Sequence, residues 1–77
     1  MAVEAYVLIQ AEVGKAAEVA SACAGINGVI SAEDVTGPYD VIARTQASDF
    51  EQLGSLMTRI QTVDGVARTL TCSVLHL

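Results

Sequence analysis

Five consecutive residues, Thr36-Gly37-Pro38-Tyr39-Asp40, are the part of this chain whose types and spacing suit recognition of a small polar molecule. Gly37 tolerates positive φ and Pro38 fixes its own, so the backbone turns tightly here. Tyr39 offers a flat amphipathic surface. Asp40 offers a carboxylate that meets an ammonium group while neighbouring backbone N–H groups meet a carboxylate, the pairing a free amino acid requires. The same residues also suffice for a well-made hairpin turn in which Asp40 only caps exposed amides.

Little else in the chain points to chemistry. Cys23 and Cys72 each sit in an apolar segment, where a buried cysteine behaves as a small hydrophobe. Two cysteines and His76 provide neither C-x-x-C nor H-x-x-x-H spacing, so no metal and no cofactor is expected. No nucleophile has an adjacent base, and Glu33-Asp34, as neighbours on a strand, point to opposite faces. An enzyme is therefore not expected. Lys15, Arg44, Arg59 and Arg68 are the only basic residues of a chain with net charge −5. They are scattered, whereas nucleic-acid binding needs a basic patch that neutralises several phosphates.

The elements that must position the loop follow from periodicity. Ala5 to Ala11 is strand-like. A helix over about 15–24 places Ala16, Val19, Ala20 and Cys23 on one narrow face, and Gly25 and Gly28 end it. Val29 to Val35 and Asp40 to Thr45 read as strands on either side of the loop. Ser48 and Glu51 form a capping box for a second helix with Phe50, Leu53, Met57 and Ile60 on its apolar face. Val66 to Leu75 is the last strand. Ile26-Asn27-Gly28-Val29 and Val63-Asp64-Gly65-Val66 occupy equivalent places in two halves. The order is β-α-β-β-α-β. With right-handed crossovers it predicts an α+β ferredoxin-like plait, a four-stranded antiparallel sheet with two helices on one face.

Seventy-seven residues make one domain, taken as residues 1–77. A hydrophobic fraction of 52% and mean hydropathy of +0.47 exceed what a monomer this small easily hides. Tyr6 and Leu8 alternate with Ala5, Val7 and Ile9, and Leu70, Cys72 and Val74 with Thr69, Thr71 and Ser73, so both sheet faces carry apolar groups. A symmetric dimer packed sheet to sheet would cover the bare face. No apolar run reaches the roughly 20 residues of a membrane helix, and the N-terminus lacks a secretory signal pattern. A cytoplasmic location is expected.

Gly14-Lys15, Gly28-Val29, V-T-G-P-Y-D and D-G-V-A-R-T-L-T, in this order and at these spacings from about Val3 to Leu75, resemble the effector-binding (RAM) domain of the Lrp/AsnC family of feast/famine regulators. That family is built around a T/S-G-x-Y/F-D loop and ends with a P/D-G-V-x-x-T-x-T strand. The resemblance implies a domain that dimerises through its sheets and assembles into larger rings, with small effectors, usually amino acids, in clefts between dimers. It implies effector-site roles for Thr36, Gly37, Tyr39 and Asp40, for Thr69 and Thr71, and for Phe50 at the start of the second helix. Phe50 also reads as a core residue, and the two threonines as packed strand residues. Cys72 and Ser73 replace what are often larger apolar or aromatic residues in the family. Ordinary members carry a DNA-binding helix-turn-helix first, whereas here Met1 directly precedes the first strand, as in a stand-alone version.

Three functions are thus weighed. One is a non-enzymatic amino-acid sensor that modulates transcription through assembly. Another is a purely structural partner that co-assembles with full-length Lrp/AsnC regulators. The last is an ACT-type amino-acid-binding domain, which shares the plait but places its effector loop after the first strand, where Glu12-Val13-Gly14-Lys15 lacks the usual apolar-Pro-Gly signal.

Overall fold

Strand β1 (Val3–Ala11) runs through the middle of the sheet, and its alternation of buried and accessible side chains divides the molecule into two faces. The computed structural model describes residues 2–76. The remaining elements are α1 (Ala16–Ala24), β2 (Val29–Asp34), β3 (Val41–Ala47), α2 (Phe50–Gln61) and β4 (Val66–Ser73). The strands form one antiparallel sheet of order β2-β3-β1-β4, the βαββαβ plait that the repeat predicts.

Ala5, Val7 and Ile9 of β1, with Val41, Ala43 and Thr45 of β3, are fully buried beneath Val19, Ala20 and Cys23 of α1 and Leu53, Leu56 and Ile60 of α2. Thr45 is the buried polar residue of this core, and its Oγ1 donates to the Ala5 carbonyl at 2.9 Å, so burial leaves no orphaned group. The repeat has a structural counterpart in the turns that follow the helices. Gly28 (φ +103°) and Gly65 (φ +95°) both take left-handed conformations. Each offers its carbonyl to the end of another strand: Gln46 N–H donates to Gly28 O at 2.9 Å, and Glu12 N–H to Gly65 O at 2.8 Å.

Several boundaries and faces differ from expectation. Helix α2 is capped by Asp49, not Ser48: its Oδ1 accepts the Gln52 N–H at 2.8 Å. A carboxylate in that position also meets the positive end of the helix dipole, an advantage a hydroxyl lacks. The buried face of α2 is Leu53, Leu56 and Ile60, with Met57 half-buried, whereas Phe50 is 69% exposed. Phe50 opens the helix and is not packed against the core cluster, so it is not a core residue. Cys23 is buried as expected, but Cys72 is exposed, because it lies opposite Tyr6 on the uncovered face. Strand β4 ends at Ser73, although Val74 N–H still donates to Glu4 O at 2.9 Å.

Candidate functional site

The uncovered face presents Tyr6 and Leu8 of β1 beside Ile42 and Arg44 of β3 and Leu70 and Cys72 of β4, in a register that pairs Leu8 with both Ile42 and Leu70 and Tyr6 with both Arg44 and Cys72. Tyr6 is 41% and Leu70 49% exposed. Arg44 Nη2 donates to Glu4 Oε1 at 3.1 Å while the guanidinium carbon lies 5.9 Å from the Tyr6 ring centroid. The Glu4 hydrogen bond, with the nearby Tyr6, raises the already high pKa of Arg44.

Residues 35–40 lead from β2 to β3 and are fastened to the end of β1. Val35 N–H donates to Asp40 O at 2.8 Å, and Asp40 N–H donates to Ile9 O at 2.9 Å. Ala11 N–H donates to Asp40 Oδ2 at 2.8 Å, and Gln10 Nε2 to Pro38 O at 3.2 Å. Asp40 thus fulfils the amide-capping role its type allows, with Oδ2 committed to the fold. Gln10 is an anchor that the loop motif does not announce, since its partner is a backbone carbonyl 28 positions away.

Held in this way, the loop overhangs the sheet and encloses an open cavity of about 500 Å³. Leu8 and Ile42 form its floor, and Val35, Thr36, Gly37, Pro38 and Tyr39 its wall. None of these seven carries a charged side chain. Thr36, Gly37 and Tyr39 therefore share one cavity, whereas Asp40 does not line it and turns its Oδ2 to the Ala11 N–H. Leu8, Val35 and Ile42 belong to the site on structural grounds alone. The signal for Ile42 is its phase: it is the apolar residue between Val41 and Ala43, which both face the core.

The other candidate residues are elsewhere. Thr69 and Thr71 pair with Ile9 and Val7, on the face that the helices cover. Thr71 Oγ1 donates to Met57 Sδ at 3.2 Å, and Gln61 Nε2 to Thr69 Oγ1 at 3.2 Å. Phe50 follows the far end of β3, whose seven residues at about 3.3 Å each put roughly 20 Å between it and the loop. Within one chain, neither Phe50 nor the two threonines join Tyr39. Among the described residues no three His, Cys, Asp or Glu side chains cluster to hold a metal ion, and no helix is long and apolar enough to cross a membrane.

Comparison with known proteins adds to this geometry. The family model of the Lrp/AsnC ligand binding domain matches residues 4–76. The HTH-type transcriptional regulator FL11 of Pyrococcus furiosus is 30% identical over 73 residues, which cover 95% of this chain and 48% of that protein. The chain spans about half the length of the curated relatives it matches first. Among solved structures, TTHA0845 from Thermus thermophilus is similar with a TM-score of 0.90 and 32% identity, covering 97% of this chain and 95% of that one. A feast or famine regulatory protein from M. tuberculosis, complexed with L-methionine, shares the fold with a TM-score of 0.80 at 22% identity, covering 97% of this chain and 51% of that one.

Proposed function

The chain belongs to the Lrp/AsnC ligand-binding domain family, and from that premise we propose that it is a non-enzymatic module that binds an amino acid and converts binding into a change of assembly that modulates transcription. The observation that carries this reading is the cavity between the Thr36–Tyr39 wall and the Leu8–Ile42 floor. It is concave, mostly apolar, walled by the loop, and of a size within the roughly 300–1,000 Å³ of small-molecule sites.

Residues 1–77 act here as one effector-binding and oligomerisation domain. The cavity is open on the side of the uncovered sheet face, so a second copy packed on that face would roof it. Thr69 and Thr71, on the opposite face of the sheet from the cavity, and Phe50, beyond the far end of β3, reach a ligand only across a contact between copies, as in a ring of dimers. Ligand and assembly then stabilise each other by linkage, and a ligand at 100 times its dissociation constant adds about 2.7 kcal/mol to the state that binds it. The reading places the protein in the cytoplasm, without cofactor, and without direct contact to nucleic acid by this chain. Calorimetric titration of the twenty amino acids, with native mass measurement of the oligomer, tests it. Absence of any binding and of any mass shift would end the sensing role.

A second reading is a structural partner of full-length Lrp/AsnC regulators, favoured by the uncovered apolar face, which needs no ligand to be useful. Subunit exchange with a helix-turn-helix-bearing relative supports it. Homo-oligomers that never exchange count against it.

A further inference from the structure

We propose that Glu33 and Arg68 form two reciprocal ion pairs between copies of this chain packed on the uncovered sheet face, and that these pairs select which chains associate there. This rests on the sheet-to-sheet contact of the reading above and specifies what that contact recognises.

The register of the sheet fixes where the charges of this face lie, because residues paired across strands share a face. Glu33 pairs with Ile42, Ile42 with Leu8, and Leu8 with Leu70, which makes one row across the four strands. Arg68 pairs with Gln10, one row nearer the loop that Gln10 holds. Since β2 and β4 are the outer strands, Glu33 stands at one margin of the face and Arg68 at the other, with the apolar centre between them. Both are exposed, and among the described residues neither enters a salt bridge. Three strand spacings of about 4.8 Å keep them roughly 14 Å apart within one chain. Glu4 and Arg44, the other charges at strand positions of this face, satisfy each other at 3.1 Å. The acids and bases of the face thus cancel in a chain of net charge −5, so two copies can approach here without net repulsion.

Aligned packing of two sheets about a twofold axis allows two arrangements. An axis running along the strands lays β2 of each copy on β4 of the other. Glu33 of each copy then faces Arg68 of the other, offset by two residues, about 7 Å, which the long arginine side chain spans. An axis running across the strands lays β2 on β2 and β4 on β4, which gathers the acids at one margin and the bases at the other. The first arrangement compensates Glu33 and Arg68, and the second leaves them without opposite charge. Ion pairs at a solvated margin add little affinity, whereas like charges brought together repel a wrong partner strongly. The pairs therefore act as a filter on identity. A second copy of this chain carries both halves of the match, and a chain with one charge reversed does not.

The natural protein, Glu33→Arg, Arg68→Glu and the doubly reversed variant are compared by sedimentation equilibrium and, as mixtures distinguished by a mass tag, by native mass spectrometry. Each single reversal turns both ion pairs into like-charge contacts and should weaken self-association at least about tenfold. Mixing the two single variants restores both pairs and should give mixed dimers of natural affinity, a rescue that a folding defect would not allow. The doubly reversed variant should self-associate like the natural protein yet refuse to mix with it. Raising the salt from about 0.05 M to about 0.5 M should erode these preferences.

If either single variant self-associates as tightly as the natural protein, the ion pairs do not form, while the sheet-to-sheet contact stands. Free or preferential mixing of the natural and doubly reversed chains overturns the pairing equally, and preference would place β2 on β2. If the natural protein is monomeric, both the pairs and the contact beneath them fail.

Discussion

Replacing Asp40 separates two roles that one position combines. Asp40→Ala removes the acceptor of the half-buried Ala11 N–H and is expected to cost about 1–3 kcal/mol, read from urea denaturation. Asp40→Asn keeps an acceptor oxygen and should lose less than half of that. Its neutral amide no longer pairs with a ligand ammonium, so amino-acid affinity should drop about tenfold or more in a protein that folds normally. Equal affinity in Asp40→Asn and the natural protein would make Asp40 an anchor only. Cys23 gives a second residue-level test. Burial raises its thiol pKa above the ordinary 9.0, so above that pH the unfolded chain loses a proton that the folded chain keeps. Stability contributed by the neutral thiol is thus complete below about pH 9 and declines as pH rises toward the folded value. The urea midpoint should fall as the pH rises above the ordinary thiol value of 9.0, more steeply in the natural protein than in Cys23→Ala. Parallel pH profiles would contradict it. At this scale the motif told which residues share the loop but not what their atoms do. That Asp40 faces Ala11, and that Gln10 holds Pro38, depends on which strand lies beside the hairpin.

Gly28 and Gly65 tie the helices to the sheet at equivalent points of the two halves. A Cβ on Gly28 would approach Leu56 Cδ2 to 2.9 Å and Gln46 O to 3.3 Å, and one on Gly65 would approach Lys15 Cβ and Val19 Cγ2 to 3.1 Å. Both positions also need a left-handed backbone. Gly28→Ala and Gly65→Ala should each destabilise by about 1–3 kcal/mol in chemical denaturation, and the double variant by close to their sum, since the two turns press on different side chains. A change below about 0.5 kcal/mol in either would show that the turn relaxes freely. Element order was legible because strand alternation, helical spacing and this Gly-Val repeat all agree. The first turn of α2 was not. Ser48 and Asp49 are both competent caps one residue apart, and spacing alone places Phe50 on the same stripe as Leu53 while leaving open whether the sheet extends beneath it. Leu56 falls beside the stripe of Leu53, Met57 and Ile60 yet is almost fully buried, because the apolar face is wide enough to include i and i+3 as well as i+4.

The whole molecule has one finished layer boundary and one unfinished. The helices cover Ala5, Val7 and Ile9, while Tyr6, Leu70 and Cys72 remain accessible on the face that also carries the cavity floor, Leu8 and Ile42. An uncovered antiparallel face is ordinarily polar, and the apolar centre here is what a sheet-to-sheet partner would bury. Leu70→Asp tests this with small risk to the single chain, since a half-exposed side chain that changes outside the core usually alters folding stability by no more than about 0.5 kcal/mol. In the natural protein, sedimentation should show the dimer or larger species, and thiol labelling of Cys72 should slow as protein concentration rises. Leu70→Asp should weaken association at least about tenfold by leaving a carboxylate without compensation at the contact, and Cys72 should then label quickly at every concentration. Because the cavity lies on the same face, an apolar amino acid should also slow Cys72 labelling at concentrations where the natural protein is partly dissociated, and should do so less in Leu70→Asp. Unchanged mass in the variant, with Cys72 equally reactive at all concentrations, would mean that the uncovered face is not where copies meet, and the coupling of ligand to assembly would need another surface.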